Sequence, residues 1–419
     1  MERNIIKSAM AFLSSSILVQ LIGFASQIVL MRNLSLNDFG RYALAFEAIA
    51  MCNMIVTGAF RNYYLREIKK ENTGSNLMSY QLFFGSFWCV MSTIIVGVMF
   101  SLDLVLITSM AISLVISSLI MPHWVEALAH GRRKLIIYRD IANSALTLVF
   151  IASFILFFKG NIEFLIVGIF IINASVAILF FWKKEDFRNI LNLESLKSVT
   201  TPLTPFFSIF IANTAYNKIG VTYINHFSTI SNVALYLAMY KFITPLFFIQ
   251  ASLISAVMPK YNSNEKIAFD LKFFSFFALP GLLVSVFLPL LFPIFIIIAG
   301  LERYSDVSTL LYFGSPVIFV SFIYGALSNF IAINGGQSYI LKTNIYGILV
   351  YLMFLITSHI FIPSIDIMAS TISFFVISES ILCYIYYSKI KKTNSITVFF
   401  LVSPLLVVLY EIIMLCIFR

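Results

Sequence analysis

Residues 10–31 read MAFLSSSILVQLIGFASQIVLM, a stretch without a charged side chain. At 1.5 Å per residue, a helix of this length is roughly 33 Å long and crosses a hydrocarbon core of about 30 Å. The stretch follows Arg3 and Lys7, but it is longer than the apolar core of a signal peptide and lacks a small-residue cleavage site. It therefore predicts a first transmembrane helix.

Similar apolar stretches recur along all 419 residues, of which 60% are hydrophobic and only 11% charged. Soluble domains are about 45–50% apolar and about 25% charged, so a soluble fold is excluded. The cysteines lie within these stretches and are expected to act as small buried side chains rather than as metal ligands. Thirteen helices are predicted, near residues 10–31, 41–60, 80–100, 104–124, 141–158, 164–182, 203–225, 233–257, 270–298, 308–331, 341–362, 367–387 and 397–418.

Basic residues set the predicted orientation. Most of the 28 Lys and Arg residues fall at the N-terminus and in the loops after the even-numbered helices. The positive-inside rule places those segments in the cytoplasm, and it predicts a multi-pass membrane protein whose N-terminus is cytoplasmic. The bases are spread from loop to loop, which argues against a nucleic-acid surface.

Short outer loops argue against an enzyme. The segments 101–103 and 159–163 are too short to fold a catalytic domain. The four histidines lack metal-ligand spacing, so neither a metal nor a cofactor is expected.

Two stretches at helix entrances are alike and suggest an internal repeat. The stretches are residues 39–47 and 232–241, in which Tyr42 matches Tyr236 and Glu47 matches Lys241. Two halves of six helices would run in the same direction, a repeat arrangement found in transporters. The predicted domains are an N-terminal six-helix lobe (1–182), a cytoplasmic linker (183–200), a C-terminal six-helix lobe (201–392) and an additional hydrophobic segment (393–419).

The chain resembles the Wzx-type O-antigen and polysaccharide flippases of the multidrug, oligosaccharidyl-lipid and polysaccharide exporter superfamily. The resemblance is carried by LMRNLSLNDFGRY at residues 30–42, by Gly58, Arg61 and Arg66, by the Tyr236 motif, and by VMPKY at residues 257–261. It implies an all-α integral membrane fold of two six-helix lobes, twelve helices and possibly a thirteenth, around a central cationic cavity. It also implies a location in the bacterial cytoplasmic (inner) membrane and export of undecaprenyl-pyrophosphate-linked oligosaccharide for lipopolysaccharide or related polysaccharide biosynthesis. The polysaccharide polymerase and chain-length machinery would then be partners.

Charged side chains within the predicted helices are candidate functional groups, because an ionisable group at bilayer depth costs at least about 2.5–3.5 kcal/mol. Lysines can replace the hydration of a pyrophosphate, and polar and aromatic side chains can bind sugars. A carboxyl group in a helix could exchange a proton during transport, and Glu411 is expected to approach the interface. The predicted substrate-binding residues are Lys218, Lys241, Arg61, Asn213, Asn217, Tyr216 and Tyr240, and the predicted proton-coupling residues are Glu47 and Glu379.

Other interpretations of these residues stay open. Lys218 and Lys241 could form structural ion pairs with the carboxyl groups, and Glu47 or Glu379 could be their static partners. At the level of function, the alternatives to a flippase working by alternating access are a cation-coupled multidrug or metabolite exporter of the same superfamily, and a membrane enzyme acting on lipid-linked sugars. An exporter of organic cations would favour carboxylates over lysines in its cavity.

Overall fold

The computed structural model is helical throughout the part of the chain that it describes, which comprises residues 2–54, 58–61, 64, 80–130, 132–158, 161–181, 193–247, 249–250, 253–254, 271–333, 336–362, 366–390 and 394–417. Thirteen α-helices are described within these ranges, each overlapping one predicted span. They are α1 Glu2–Asn33, α2 Leu36–Asn53, α3 Ser86–Met99, α4 Leu104–Ala129, α5 Arg133–Ser153, α6 Ile162–Phe181, α7 Leu193–Phe227, α8 Ile230–Ile243, α9 Leu271–Ala299, α10 Asp306–Ile333, α11 Gln337–Phe361, α12 Ile367–Ile390 and α13 Asn394–Ile417.

Short non-α turns extend or connect several of these helices. A π-helical turn, Gln81–Gly85, leads into α3, and a second, Phe154–Phe158, follows α5. A 3₁₀ turn, Thr244–Leu246, ends α8 at Pro245, where the missing N–H prevents a regular continuation. A further 3₁₀ turn, Glu302–Tyr304, connects α9 and α10.

The beginnings of α2 and α8 use the same local chemistry. The Ser35 hydroxyl accepts a hydrogen bond from the Asp38 N–H at 3.1 Å, and the Thr229 hydroxyl accepts one from the Asn232 N–H at 3.3 Å. Such N-caps satisfy an N–H group that the first turn of a helix leaves unpaired. Each capping residue comes seven positions before the matched tyrosine, Tyr42 or Tyr236, so the caps extend the predicted repeat.

The matched tyrosines also pack alike. Tyr42 contacts the ring of Phe46 at 4.5 Å between centroids, and Tyr236 contacts that of Tyr240 at 4.9 Å, both one helical turn further on. The Tyr42 hydroxyl also accepts a hydrogen bond from the Gln27 side chain on α1, at 3.3 Å. The shared caps and ring contacts support an internal repeat that relates α2 to α8.

The chain divides into two compact units, Met1–Thr214 and Ala215–Arg419. In the first unit, α1 packs on α5 and α4 packs on α6; in the second, α10 packs on α9 and α12. Helix α7 begins at Leu193, about ten residues before the predicted span, and therefore includes the end of the predicted linker. The rest of that linker, residues 183–192, lies outside the described residues, so the linker stays a prediction.

Eight of the described helical segments are long and apolar enough to cross a membrane. The second unit is built around two of them, because 72% of the apolar window of α10 and 78% of that of α12 is buried inside the protein. The prediction of an all-α integral membrane fold is confirmed. Cys52, Cys89 and Cys383 are buried as expected, whereas Cys416 is exposed.

The thirteenth predicted span is a helix that packs on α12 and α10. Its Glu411 is fully buried, and the Ser373 hydroxyl on α12 donates to a carboxylate oxygen at 2.6 Å. Glu411 is therefore buried against α12, and the expectation that it approaches the membrane interface stays a prediction. Helix α13 turns its one acidic residue towards its neighbour because Ser373 supplies a hydrogen bond there.

Candidate functional site

Lys218 lies in a polar stripe on α7, because Thr214, Lys218, Thr222 and Asn225 recur at steps of four, four and three residues and share one side of the helix. The Lys218 side chain is half-buried, and the adjacent Asn217 is exposed. One turn later, the Thr222 hydroxyl donates to the Lys218 carbonyl oxygen at 3.0 Å. The Thr222 hydroxyl therefore has its hydrogen-bond acceptor within its own helix.

Tyr216 lies on a different side of α7 and belongs to the core of the second unit. It is 1% exposed, its hydroxyl is 2.7 Å from the Ser378 hydroxyl, and its ring packs on Tyr351 and Phe375. These contacts give Tyr216 a packing role between α7, α11 and α12. The ring has no free face for stacking on a sugar in this conformation.

Helix α8 holds the second predicted lysine next to a predicted aromatic residue. Lys241 and Tyr240 are both half-buried, while the seven preceding residues, 233–239, are buried. Phe242 and Ile243 are buried again, so Tyr240 and Lys241 are two partly accessible positions within an otherwise buried stretch of α8. The buried residues 233–239 hold α8 in place, and this sets the position of the Lys241 backbone.

Glu379 is the least solvent-exposed of the predicted site residues that carry a charge. It is 4% exposed, and the Ser321 hydroxyl on α10 lies 2.9 Å from both of its carboxylate oxygens. The backbone carbonyl of Ser321 also accepts a hydrogen bond from the Gln250 side chain. The Glu379 carboxyl is therefore part of a hydrogen-bonded contact between α10 and α12.

The first unit contains Glu47, Arg61 and Asn213. Glu47 on α2 and Asn213 on α7 are half-buried. Arg61 is exposed, and its guanidinium lies 5.1 Å from the ring centroid of Trp124 on α4. This cation–π contact holds the cation against an aromatic surface while leaving its donors accessible.

Two polar groupings in the first unit were not predicted from the sequence. Gln81, at the π-helical turn, is fully buried; it accepts a hydrogen bond from Tyr64 at 2.6 Å and donates to Ser118. Arg139 lies before the predicted span at 141–158 but is inside α5, with Asn143 one turn later. The four-residue spacing on α5 was a signal that could have found the second grouping.

Among the described residues, there is no group of three or more His, Cys, Asp or Glu side chains suited to a metal.

Solved structures share this fold, although comparison by sequence finds neither a matching protein family nor a curated relative. An inward-closed structure of the lipid II flippase MurJ matches with a TM-score of 0.73 and 10% identity, over 97% of this chain and 92% of MurJ. An inward-facing multidrug resistance MATE family transporter of the MOP superfamily matches with a TM-score of 0.67 and 13% identity, over 90% of this chain and 96% of that one.

A third match is a MOP superfamily transporter from Pyrococcus furiosus whose binding pocket is described as having reverse polarity. Its TM-score is 0.56 at 13% identity, over 91% of this chain and 96% of that one. At such identities the likeness shows the fold alone. The chain therefore has the fold of the MOP superfamily transporters, a fold found in both multidrug exporters and a lipid flippase.

Proposed function

We propose that this protein is a flippase that moves an undecaprenyl-pyrophosphate-linked oligosaccharide across the bacterial cytoplasmic membrane by alternating access. The repeat units of O-antigen or a related polysaccharide are the cargo class. The N-terminus lies in the cytoplasm, and the polysaccharide polymerase and chain-length machinery receive the product. The shared fold with MurJ and with MATE transporters supports a transporter, and the cargo is inferred from the charges.

The observation that carries this proposal is a difference in the accessibility of opposite charges. Within the described helices of the second unit, Lys218 and Lys241 are half-buried and keep an accessible part. Glu379 and Glu411 are 4% and 0% exposed, and each accepts a serine hydrogen bond. The accessible charge in the spans of this unit is therefore mainly positive, which suits an anionic cargo.

A pyrophosphate needs donors that replace part of its hydration. The two lysines provide ammonium groups, which form charge-assisted hydrogen bonds with phosphate oxygens. Asn217 and Tyr240 are next to the lysines in sequence and supply amide and phenol groups for sugar hydroxyls. Arg61 and Asn213 supply the same chemistry in the first unit, while Tyr216 serves the packing of α7.

Energy coupling is assigned to the carboxyl groups. Glu47 is half-buried, so it is the group that exchanges a proton with water more readily. Glu379 exchanges its proton only when the contact of α10 with α12 at Ser321 loosens. Coupling through either residue would link headgroup movement to a proton gradient.

The second candidate is a cation-coupled multidrug exporter, which the MATE match and the half-buried Glu47 favour. An organic cation would need an accessible carboxylate, and Glu47 provides one. The two lysines would repel such a cargo, so the two functions respond oppositely to removal of the lysine charge.

The test is to delete the gene in its host and to restore it as wild type, Lys218→Gln, Lys241→Gln or the matched exposed control Lys342→Gln. Each lysine change should lower surface polysaccharide by about 10- to 100-fold, the value of one charge-assisted hydrogen bond. The control should leave it unchanged, because Lys342 is exposed near the start of α11. Membrane levels of each variant are measured by immunoblot. Unchanged polysaccharide in the deletion strain would refute the flippase, and gained drug resistance in the lysine variants would favour the exporter.

A further inference from the structure

Helix α5 carries three polar side chains at four-residue spacing, Arg139, Asn143 and Thr147. Four-residue steps keep side chains on one face of a helix, and eight residues rise about 12 Å. All three residues are half-buried. We call these three residues the α5 track.

Each residue of the α5 track has a buried polar atom without a hydrogen-bond partner in the described structure. The atoms are Arg139 Nε, Asn143 Oδ1 and Thr147 Oγ1. A buried polar atom without a partner costs about 1–3 kcal/mol, so three in succession need an explanation. One explanation is a ligand that supplies the missing hydrogen-bond partners.

The α5 track does not lie on the most exposed apolar side of its helix. The most exposed large side chains of α5 are Tyr138, Leu146 and Val149, at 61%, 48% and 62%. Positions 138 and 146 are each one residue from the track, which turns them about 100° away from it. The helix thus separates an apolar surface, suited to lipid, from a polar one.

The charge of the α5 track selects among possible ligands. Arg139 Nη1 donates to Asp140 Oδ1 at 2.8 Å, so the guanidinium is already paired with a carboxylate. A phosphate would meet this carboxylate, and its oxygens, which only accept, could not pair with the acceptor Asn143 Oδ1. A sugar hydroxyl both donates and accepts, so it can pair with all three atoms.

Resting on the proposed function, we propose that the α5 track is a binding site for uncharged, hydroxyl-rich sugar rings of the lipid-linked cargo. It would bind the sugars and leave the pyrophosphate to the lysines. Because α5 begins at the side assigned to the cytoplasm, the α5 track would take up the sugar part as the cargo enters. The sugar hydroxyls would donate to Asn143 and Thr147 and accept from Arg139 Nε.

The experiment measures binding of two probes to the purified full-length protein in detergent by native mass spectrometry. The probes are undecaprenyl pyrophosphate and the same lipid carrying one N-acetylglucosamine. The variants are Asn143→Leu and Thr147→Val, and the control is Thr108→Val, whose hydroxyl is exposed and bonded to its own helix at Leu104 O. Each α5 variant should bind the sugar-bearing probe about five-fold more weakly, the value of one net hydrogen bond, and the sugar-free probe as wild type does.

A second measurement separates binding from packing. Thr147→Val removes a hydroxyl without a partner in the described structure, so the unliganded protein should unfold at the wild-type temperature or above. A lower unfolding temperature would show that the α5 track serves helix packing, which would overturn the proposal.

The remaining outcomes are also decisive. Wild-type binding of both probes by the α5 variants would overturn the sugar site while leaving the flippase standing. Equal weakening for both probes would overturn the assignment to sugar. If the wild-type protein binds neither probe, the proposed function fails and the sugar site with it.

Discussion

Gly220 is a position where one added methyl group should disturb the second unit. A Cβ built on Gly220 would overlap the hydroxyl of Tyr236 and lie 2.8 Å from the hydroxyl oxygen of Tyr351 and 3.0 Å from Cγ2 of Thr371. The Tyr351 hydroxyl donates to the Thr371 carbonyl at 2.9 Å, so it cannot move without losing that bond. Glycine therefore lets α7 approach α8, α11 and α12 closely.

The cost of Gly220→Ala follows from three terms. Overpacking costs about 1–3 kcal/mol, and loss of the hydrogen bond from Tyr351 costs about 1 kcal/mol. Alanine returns about 1 kcal/mol through its higher helix propensity. The net loss of unfolding free energy is about 1–3 kcal/mol, and transport should fall as well because Lys218 is only two residues away.

Thermal unfolding of the detergent-solubilised protein, followed by far-ultraviolet circular dichroism of its helices, measures this effect. Gly23→Ala on α1 is the matched control, since nothing lies within 4 Å of a Cβ built there, and it should raise stability. In a Tyr236→Phe background, Gly220→Ala should cost less, because the overlapping hydroxyl is gone. Equal unfolding temperatures for Gly220→Ala and Gly23→Ala would refute the packing reasoning.

Two further changes test buried polar contacts by the same unfolding assay. Ser321→Ala removes the donor to the Glu379 carboxyl and should cost about 1–3 kcal/mol, whereas Ser328→Ala, bonded at 3.2 Å within its own helix, should cost less; equal losses would contradict this. Gln81→Leu breaks a fully buried network and should cost at least about 2 kcal/mol, while exposed Gln20→Leu should be neutral. A stable Gln81→Leu protein would show that the network contributes little.

The helices could be predicted from the sequence because each depends on a local property. A span is visible as about 20 apolar residues, and helix ends are visible as caps such as Ser35 before Asp38. The start of α7 could not be predicted in this way. Its first residues, 193–202, are too polar for an apolar span, yet they continue the helix to Leu193.

The contacts of the candidate residues could not be predicted, because they join distant parts of the chain. Ser321 and Glu379 are 58 residues apart, and Tyr216 and Ser378 are 162 apart. The stripe pattern indicated that α7 has a polar side. It could not indicate that Tyr216 faces the core while Lys218 keeps an accessible part.

The repeat explains where specificity can arise in this fold. The capping residues and the matched tyrosines with their ring contacts are shared by α2 and α8. Five positions after each tyrosine, however, Glu47 stands in one unit and Lys241 in the other, both half-buried. Contacts common to both units maintain the helices, so they cannot distinguish one cargo from another. The positions at which the repeats differ in charge are therefore those where exchange of side chains should change the cargo before it changes the fold.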